Sequence, residues 1–352
     1  MSTYERIADL PLRVDGYRLE RLSLELAPEF ERVTTVVTLS GAGEEGVGED
    51  VTYDPPDHEA QLAAGPTLPL AGEWTLDGLS RHLDGLDLFP VPASRPEWLD
   101  YRRWAFESAA LDLALRQAGT SLADALGLVA RPVRFVVSTR IDGDPPDAGR
   151  IRRFLAATPG LRFKLDPTDD WSPELMDELA TLGVVDTLDM KGAYDGDLPF
   201  SVASDPRTYE RVVARFPGAW IEDPRLTPPL REALRGAEDR VTWDTPIHSV
   251  ADVRALEWTP RMVNLKPSRF GRLSELMATY DHLRESGIDA YGGGQTELGP
   301  GRGQIQYLAS LFHPDGPNDV APGGYNHADP PPGLPGTPLP VAASATGFRW
   351  GE

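Results

Sequence analysis

Lysine is scarce in this chain, and its placement points to chemistry. Of 34 lysine and arginine residues only Lys164, Lys191 and Lys266 are lysine; the other 31 are arginine. Arginine stays protonated in proteins, whereas a lysine amine can be tuned by its neighbours. A sequence that uses arginine wherever a positive charge suffices keeps lysine where a neutral amine matters. All three lysines fall near the ends of short apolar runs, in "LRFKLD", "LDMKG" and "VNLKP". Three acids end similar runs: Asp189 in "VVDTLDM", Glu222 in "AWIEDP" and Asp244 in "RVTWDT". Any one of these acids alone reads better as a helix cap or a solvated loop residue. On three consecutive parallel strands, about 4.8 Å apart, they can converge on one point, where they repel unless a cation holds them. Oxygen ligands without His or Cys suit Mg²⁺, with Mn²⁺ as a substitute.

The elements that must position these residues follow from periodicity. From about residue 132, short apolar runs alternate with helical segments. Strands are expected at 133–139, 161–166, 184–190, 219–224, 240–245, 262–267, 289–294 and, most weakly, 318–322. Helices fit between them, as in "SPELMDELATLG", "DPRTYERVVARF" and "RLSELMATYDHLRESG". Several begin with Ser, Asp or Pro, which favour helix starts. Repeated units of this kind predict an α/β fold with a parallel (β/α)8-type barrel, whose chemistry sits at the C-terminal strand ends. Residues 1–128 read as a smaller α+β unit. Two alternating runs make strands there, glycines mark a hairpin near 41–48, and 101–119 make a buried helix. The barrel is expected over 129–328. The proline-rich segment 329–352 is expected to run extended, back over the first unit.

Strands two and six of an eight-stranded barrel face each other. Lys164 and Lys266 would then flank a substrate, with a metal on strands three to five between them. This suits removal of a proton next to a carboxylate: the metal takes the charge of the enediolate, one lysine removes the proton, and the other can return it. Such a base needs a pKa well below the ordinary value of about 10.4. Arg162, two residues before Lys164 and so on the same strand face, would push it down together with the metal.

Other classes are disfavoured. A net charge of −21 argues against nucleic-acid and anionic-membrane partners. The absence of cysteine excludes disulfides, zinc–thiolate sites and thiol nucleophiles, and fits a cytoplasmic protein. The start "MSTYERIADLPLRV" carries charges where a signal peptide needs an apolar run, and no apolar stretch approaches the roughly 20 residues of a membrane span. His58, His82, His248, His282, His313 and His327 show no metal-binding spacing; His248, just past Asp244, could line the site. The string "GPGRG" at 299–303 could bind an anion through backbone N–H groups at a helix start.

Together these motifs resemble those of the enolase superfamily, in its muconate-lactonizing and mandelate-racemase-like branch of the lysine–lysine type. That superfamily uses a Lys or His base beside Mg²⁺. "GEEGVGED" resembles the glycine hairpin of its N-terminal capping domain, and "FESAALDLALRQAGTSLADALG" the long helix of that domain. "RFKLD" resembles its lysine-x-lysine motif, with Arg162 in the first place and Lys164 as base. "LDMKGAY", "WIEDP" and "TWDT" imply Asp189, Glu222 and Asp244 as metal ligands, and "VNLKPSRFG" implies Lys266 as second base. There are departures. Arg162 replaces a lysine, Lys191 stands where asparagine is usual, and Thr245 where glutamate is common. "GGGQTELGPGRG" has Gln295 and Glu297 and no histidine, which favours the lysine–lysine branch. "NDVAP" lacks the paired aspartates with which dipeptide epimerases hold an amino group.

The resemblance implies Mg²⁺-dependent removal of the proton α to a carboxylate. The outcome would be racemisation or epimerisation, β-elimination as in o-succinylbenzoate synthase, or cycloisomerisation. Arg162, Lys191, Asn264, Gln295 and Glu297 are expected to contact or support the substrate. Lys191 is open to pairing with the carboxylates, reaching the substrate or pointing away. Loops at 24–30 and 53–58 are expected over the mouth. The expected partner is a small carboxylate, with no nucleic acid and no membrane, and a homo-oligomeric assembly is expected. Two rivals remain: a Schiff-base aldolase using Lys266, and a barrel that binds a carboxylate without catalysis.

Overall fold

The structure is a computed structural model that describes residues 1–27, 30–141, 143–193, 202–327 and 330–351. The N-terminal strands are β1 (Pro11–Val14), β2 (Gly16–Ala27), β3 (Phe30–Gly41), β4 (Glu44–Asp50) and β5 (Gly72–Thr75). β2, β3 and β4 form an antiparallel sheet in that order, and β1 pairs with β5. The turn between β3 and β4 falls at Ala42 (φ 52°) and Gly43 (φ 81°). Gly46 and Gly48 serve another purpose inside β4. A Cβ on Gly46 would come 2.3 Å from the carbonyl oxygen of Ala109, and one on Gly48 would come 2.0 Å from that of Ala105. These glycines let the helix Trp98–Gln117 lie against the sheet. All residues from 101 to 115 of that helix are buried, which explains its apolar character on most faces.

The barrel strands are β6 (Val137–Thr139), β7 (Phe163–Leu165), β8 (Val185–Asp189), β9 (Trp220–Glu222), β10 (Val241–Thr242), β11 (Met262–Leu265) and β12 (Asp289–Gly292). β6 to β10 form a parallel sheet in sequence order, and β11 pairs in parallel with β12. Backbone bonds close the ring. Asn264 N donates to Trp243 O at 2.9 Å, Asp319 N to Gly292 O at 2.8 Å, and Val136 N to Asn318 O at 2.8 Å. The expected eighth strand is reduced to single bridges, Asn318 with Phe135 and Asp319 with Gly293. Pro317 and Pro322 flank it and lack the N–H that a longer ladder needs.

Helices alternate with these strands on the outside. Ser172 caps Pro173–Leu182 by accepting from Leu175 N at 3.1 Å, and Asp205 caps Pro206–Arg215 by accepting from Arg207 N at 2.9 Å. After residue 330 the expected extended run is broken by turns, and the chain folds back on itself where Ala343 bridges Trp350. Leu339 bridges Val133, and Phe348 N donates to Asp112 Oδ1 at 2.7 Å while Arg349 pairs with the same carboxylate. Asp112 belongs to the helix Trp98–Gln117, so this segment packs beside it. No helix of the described residues is long and apolar enough to cross a membrane.

Candidate active site

The strand register brings the sequence-selected acids and lysines into one buried row. Asp189 at the end of β8 pairs in register with Glu222 at the end of β9, and Asp244 follows β10. Lys164 of β7 bridges the first two: its ammonium bonds Glu222 Oε1 and lies 3.1 Å from Asp189 Oδ2. Lys191 bonds Asp189 Oδ2 through its own ammonium. At the other end of the row, Asp244 is held by Lys266 at 2.9 Å and by Arg269 at 2.7 Å. Lys164, Asp189, Glu222, Asp244 and Lys266 are each at most 7% exposed.

The charges explain one another. Burial opposes ionisation of Asp189, but the Lys164 and then the Lys191 ammonium hold it well below the usual carboxylate range. Burial likewise opposes the charge on Asp244, yet Arg269 and Lys266 bring it to about 2. Glu222 is raised well above the ordinary value, first by burial and then by its acidic neighbours, against the pull of Lys164. Lys164 is held well above the ordinary lysine value: burial lowers it, but Asp189, Glu222, Asp319 and Asp244 outweigh that. The expected lowering rests on Arg162 and a metal; Arg162 does not supply it, and the neighbours of Lys164 here are carboxylates.

Arg162 is not among those neighbours. Its guanidinium bonds Asp186 Oδ1 at 2.9 Å and Gly183 O at 2.6 Å, at the start of β8 and so at the opposite end of the strands. Alternation says nothing about which end of the strands a long side chain turns to. Arg162 therefore does not support the substrate end, contrary to expectation.

Asn264 lies beside Lys266. A Cβ on Gly293 would come 2.7 Å from Lys266 Cε and 2.8 Å from Asn264 Oδ1, so glycine there makes room for both. Asn264 is fully buried, and neither its Oδ1 nor its Nδ2 has a hydrogen-bond partner. Gln295 is tied to the N-terminal unit: its Nε2 donates to Tyr101 OH at 2.7 Å, and Tyr53 OH donates to its Oε1 at 3.3 Å. Tyr53 thus reaches the barrel mouth, but most of the loop expected at 53–58 is the start of a helix, Pro55–Ala64. Residues 28–29 of the other expected loop, and Tyr194 of "LDMKGAY", lie outside the described residues. Glu297 accepts from Gln295 N at 2.7 Å and stands 3.1 Å from Arg302. His248 meets the carbonyls of Arg269 and Thr245, behind Asp244. The N–H groups of "GPGRG" do bind an anion, but it is the chain's own Glu49. Its carboxylate accepts from Leu298 N at 2.7 Å, Gly299 N at 3.0 Å and Gly301 N at 2.9 Å.

Sequence reasoning missed three groups. Tyr291 donates its hydroxyl to Glu222 Oε2. Its register partner is Asn264, and pairing the strands would have flagged it. Arg269 lies one helical turn after Lys266, inside a motif already singled out. Asp223, at φ 46°, accepts from Asp244 N and Thr245 N, both at 2.9 Å, and so fixes the turn that carries Asp244. A cavity of about 130 Å³ adjoins the row. Ser138, Thr296, Arg302, Asp319 and Asn326 are among its lining residues. Arg302 Nε and Asn326 Nδ2 are buried without partners, and Asp319 lies 3.7 Å from Lys164.

The donor set suits a hard divalent cation: three buried carboxylates on consecutive strands, with no softer ligand among them. Crowded Glu222 is the acid that most needs one. Among the described residues no three acids stand close enough to grip an ion. Lys164 bridges the first two carboxylates, and Lys266 and Arg269 hold the third.

The chain resembles known proteins in sequence and in fold. Residues 5–125 and 129–327 match the N-terminal and C-terminal domains of a family described as a domain of unknown function, DUF8230. The chain is 25% identical over 334 residues to an N-succinylamino acid racemase of Thermus thermophilus, covering 90% of this chain and 84% of that protein. It is 24% identical over 336 residues to an o-succinylbenzoate synthase of Geobacillus stearothermophilus, covering 89% and 85%. Its fold is similar to that of a dipeptide epimerase from Methylococcus capsulatus solved with a Mg ion. The TM-score is 0.64 at 19% identity, over 90% of this chain and 92% of that one. The chain belongs to the DUF8230 family, and in sequence and fold it is similar to members of the enolase superfamily, in the branch of muconate-lactonizing enzyme and mandelate racemase.

Proposed function

We propose that this protein is a Mg²⁺-dependent isomerase or lyase that removes the proton α to the carboxylate of a small acid. The observation that carries the reading is the row itself: three buried carboxylates on consecutive strands with a buried lysine at each end. Asp189, Glu222 and Asp244 would hold the cation, with Mn²⁺ as a substitute. When bound, that cation supplies positive charge beside the substrate carboxylate and neutralises the acids that now keep Lys164 protonated.

The chain's own residues divide the remaining work. Lys164 and Lys266 stand on opposite sides of the row, so one takes the α-proton and the other delivers a proton to the opposite face. Arg269 keeps Asp244 charge-paired when Lys266 changes its proton count. Tyr291 orients Glu222 through its hydroxyl. Tyr53, Tyr101 and Gln295 close one wall and keep water from the reacting carbon. The cavity by Arg302 and Asn326 receives the far end of the substrate, where unpartnered N–H donors favour a carbonyl or carboxylate. The curated relatives, a racemase and a synthase, support the reaction class and leave racemisation, β-elimination and cycloisomerisation as its outcomes.

The test is a panel of small carboxylic acids incubated with the protein and Mg²⁺, read by chiral chromatography and by mass. Turnover that a chelator abolishes supports the reading. Turnover that survives the chelator, with borohydride trapping a carbonyl substrate on Lys266, overturns it in favour of a Schiff-base aldolase.

A further inference from the structure

Lys191 stands between two acids. Its ammonium bonds Asp189 Oδ2, and Asp166 Oδ1 lies 3.7 Å from the same nitrogen. Asp166 already receives Arg140 on its other oxygen, Oδ2, at 3.1 Å. Its Oδ1 is buried without a hydrogen-bond partner. A buried carboxylate oxygen left unsatisfied is costly, so Asp166 offers the ammonium a second seat within a short swing.

The backbone around Lys191 is fixed independently of the ammonium. Lys191 sits in the left-handed region at φ 53°, and its own N–H donates to Asp189 Oδ1 at 3.1 Å. The next residue, Gly192, donates to Asp223 O at 2.7 Å, and a Cβ there would come 2.1 Å from Arg225 N. Any exchange between the two seats therefore takes place in the lysine side chain alone.

We infer that Lys191 is a displaceable counter-ion: its ammonium occupies Asp189 until a divalent cation takes that carboxylate, and then passes to Asp166. The inference rests on the reading of Asp189 as a metal-holding residue. It makes Lys191 a positioning residue that sets how tightly the site holds its metal. Two substitutions then act in opposite directions. Lys191→Gln removes the competitor, so the cation binds tighter. Asp166→Asn removes the second seat, so the ammonium stays beside the incoming cation and binding weakens. Like charges a few ångströms apart in a largely buried site are worth at least about tenfold in affinity. A merely structural role for either residue would not move affinity in opposite directions.

The experiment is a titration of the whole chain with Mn²⁺, free ion being counted by electron paramagnetic resonance, with Mg²⁺ as competitor. Lys191→Gln should bind at least about tenfold tighter than wild type, and Asp166→Asn about tenfold weaker. The double variant should match Lys191→Gln. Lys191→Met repeats the test if the glutamine variant folds poorly by circular dichroism. Equal or weaker binding in the folded Lys191 variants would overturn the displacement and leave Asp189 as a metal residue. No Mn²⁺ binding by any form, wild type included, would overturn the displacement and the metal reading beneath it.

Discussion

Asp189 is met by two ammonium groups and a backbone N–H, and Asp244 by an ammonium and a guanidinium. At this scale the row is a set of crowded buried anions balanced by the chain's own cations. Each removable partner leaves a charge without compensation, which costs far more than an exposed pair would. Arg162 offers a contrast. It pairs with Asp186 at the far end of the strands and is a third exposed. We predict that Arg162→Gln lowers stability by about 1 kcal/mol, read from the urea midpoint, and leaves α-proton exchange unchanged. A large loss of exchange without a loss of stability would place Arg162 back at the site. Much of the row was legible because scarcity and strand-end position do not depend on long-range contacts. Lys164, Asp189, Glu222, Asp244 and Lys266 were all found that way. Tyr291 depends on strand register, which local pattern does not supply.

The loop after β12 is where two folding units meet. Arg32 of β3 is buried, and its guanidinium donates to Gln295 O at 2.8 Å and Thr296 O at 3.3 Å while lying over the Tyr53 ring. Glu49 of β4 binds the N–H groups at the start of the helix Pro300–Phe312. Thr296 sits at φ 58°, a left-handed conformation that a β-branched residue keeps only when its surroundings enforce it. The N-terminal unit therefore shapes the loop that carries Gln295 and Glu297. We predict that Glu49→Ala costs about 1–3 kcal/mol, because it leaves several buried donors unsatisfied. Hydrogen exchange should then speed up at the amides of Leu298, Gly299 and Gly301. Unchanged protection at those three amides would contradict the assignment. The sequence showed an anion-ready helix start but not its anion, because Glu49 lies some 250 residues away in the chain. The hairpin expected near 41–48 is present, but the packing role of Gly46 and Gly48 was not legible, because helix-to-sheet approach is invisible in a local window.

Across the whole molecule, the repeated βα pattern was legible because each unit writes its own apolar run and cap. Ring closure was legible only as a weak strand expected at 318–322, because it runs through single bridges at Asn318 and Asp319. His313 ties that closure together. Asn318 Oδ1 accepts from its Nδ1 at 2.7 Å, so its Nε2 accepts from Tyr280 OH at 3.0 Å and the ring is neutral. Burial lowers its pKa to about 4, although the bond to Asn318 opposes this. The unfolded chain takes up this proton as the pH falls through about 6.5, the folded chain only near 4. Stability therefore falls across that window, by about 3 kcal/mol from this residue. His313→Gln should flatten the fall, measured as unfolding free energy against pH; an unaltered slope would contradict a buried neutral histidine. The account as a whole stands on proton removal by two opposed lysines. Its most direct test is incubation with a library of carboxylic acids in D₂O, with mass and NMR reading deuterium at the α-carbon. The account predicts Mg²⁺-dependent incorporation that is lost in both Lys164→Ala and Lys266→Ala. No incorporation with any acid, together with an unchanged melting temperature on adding Mg²⁺, would contradict it.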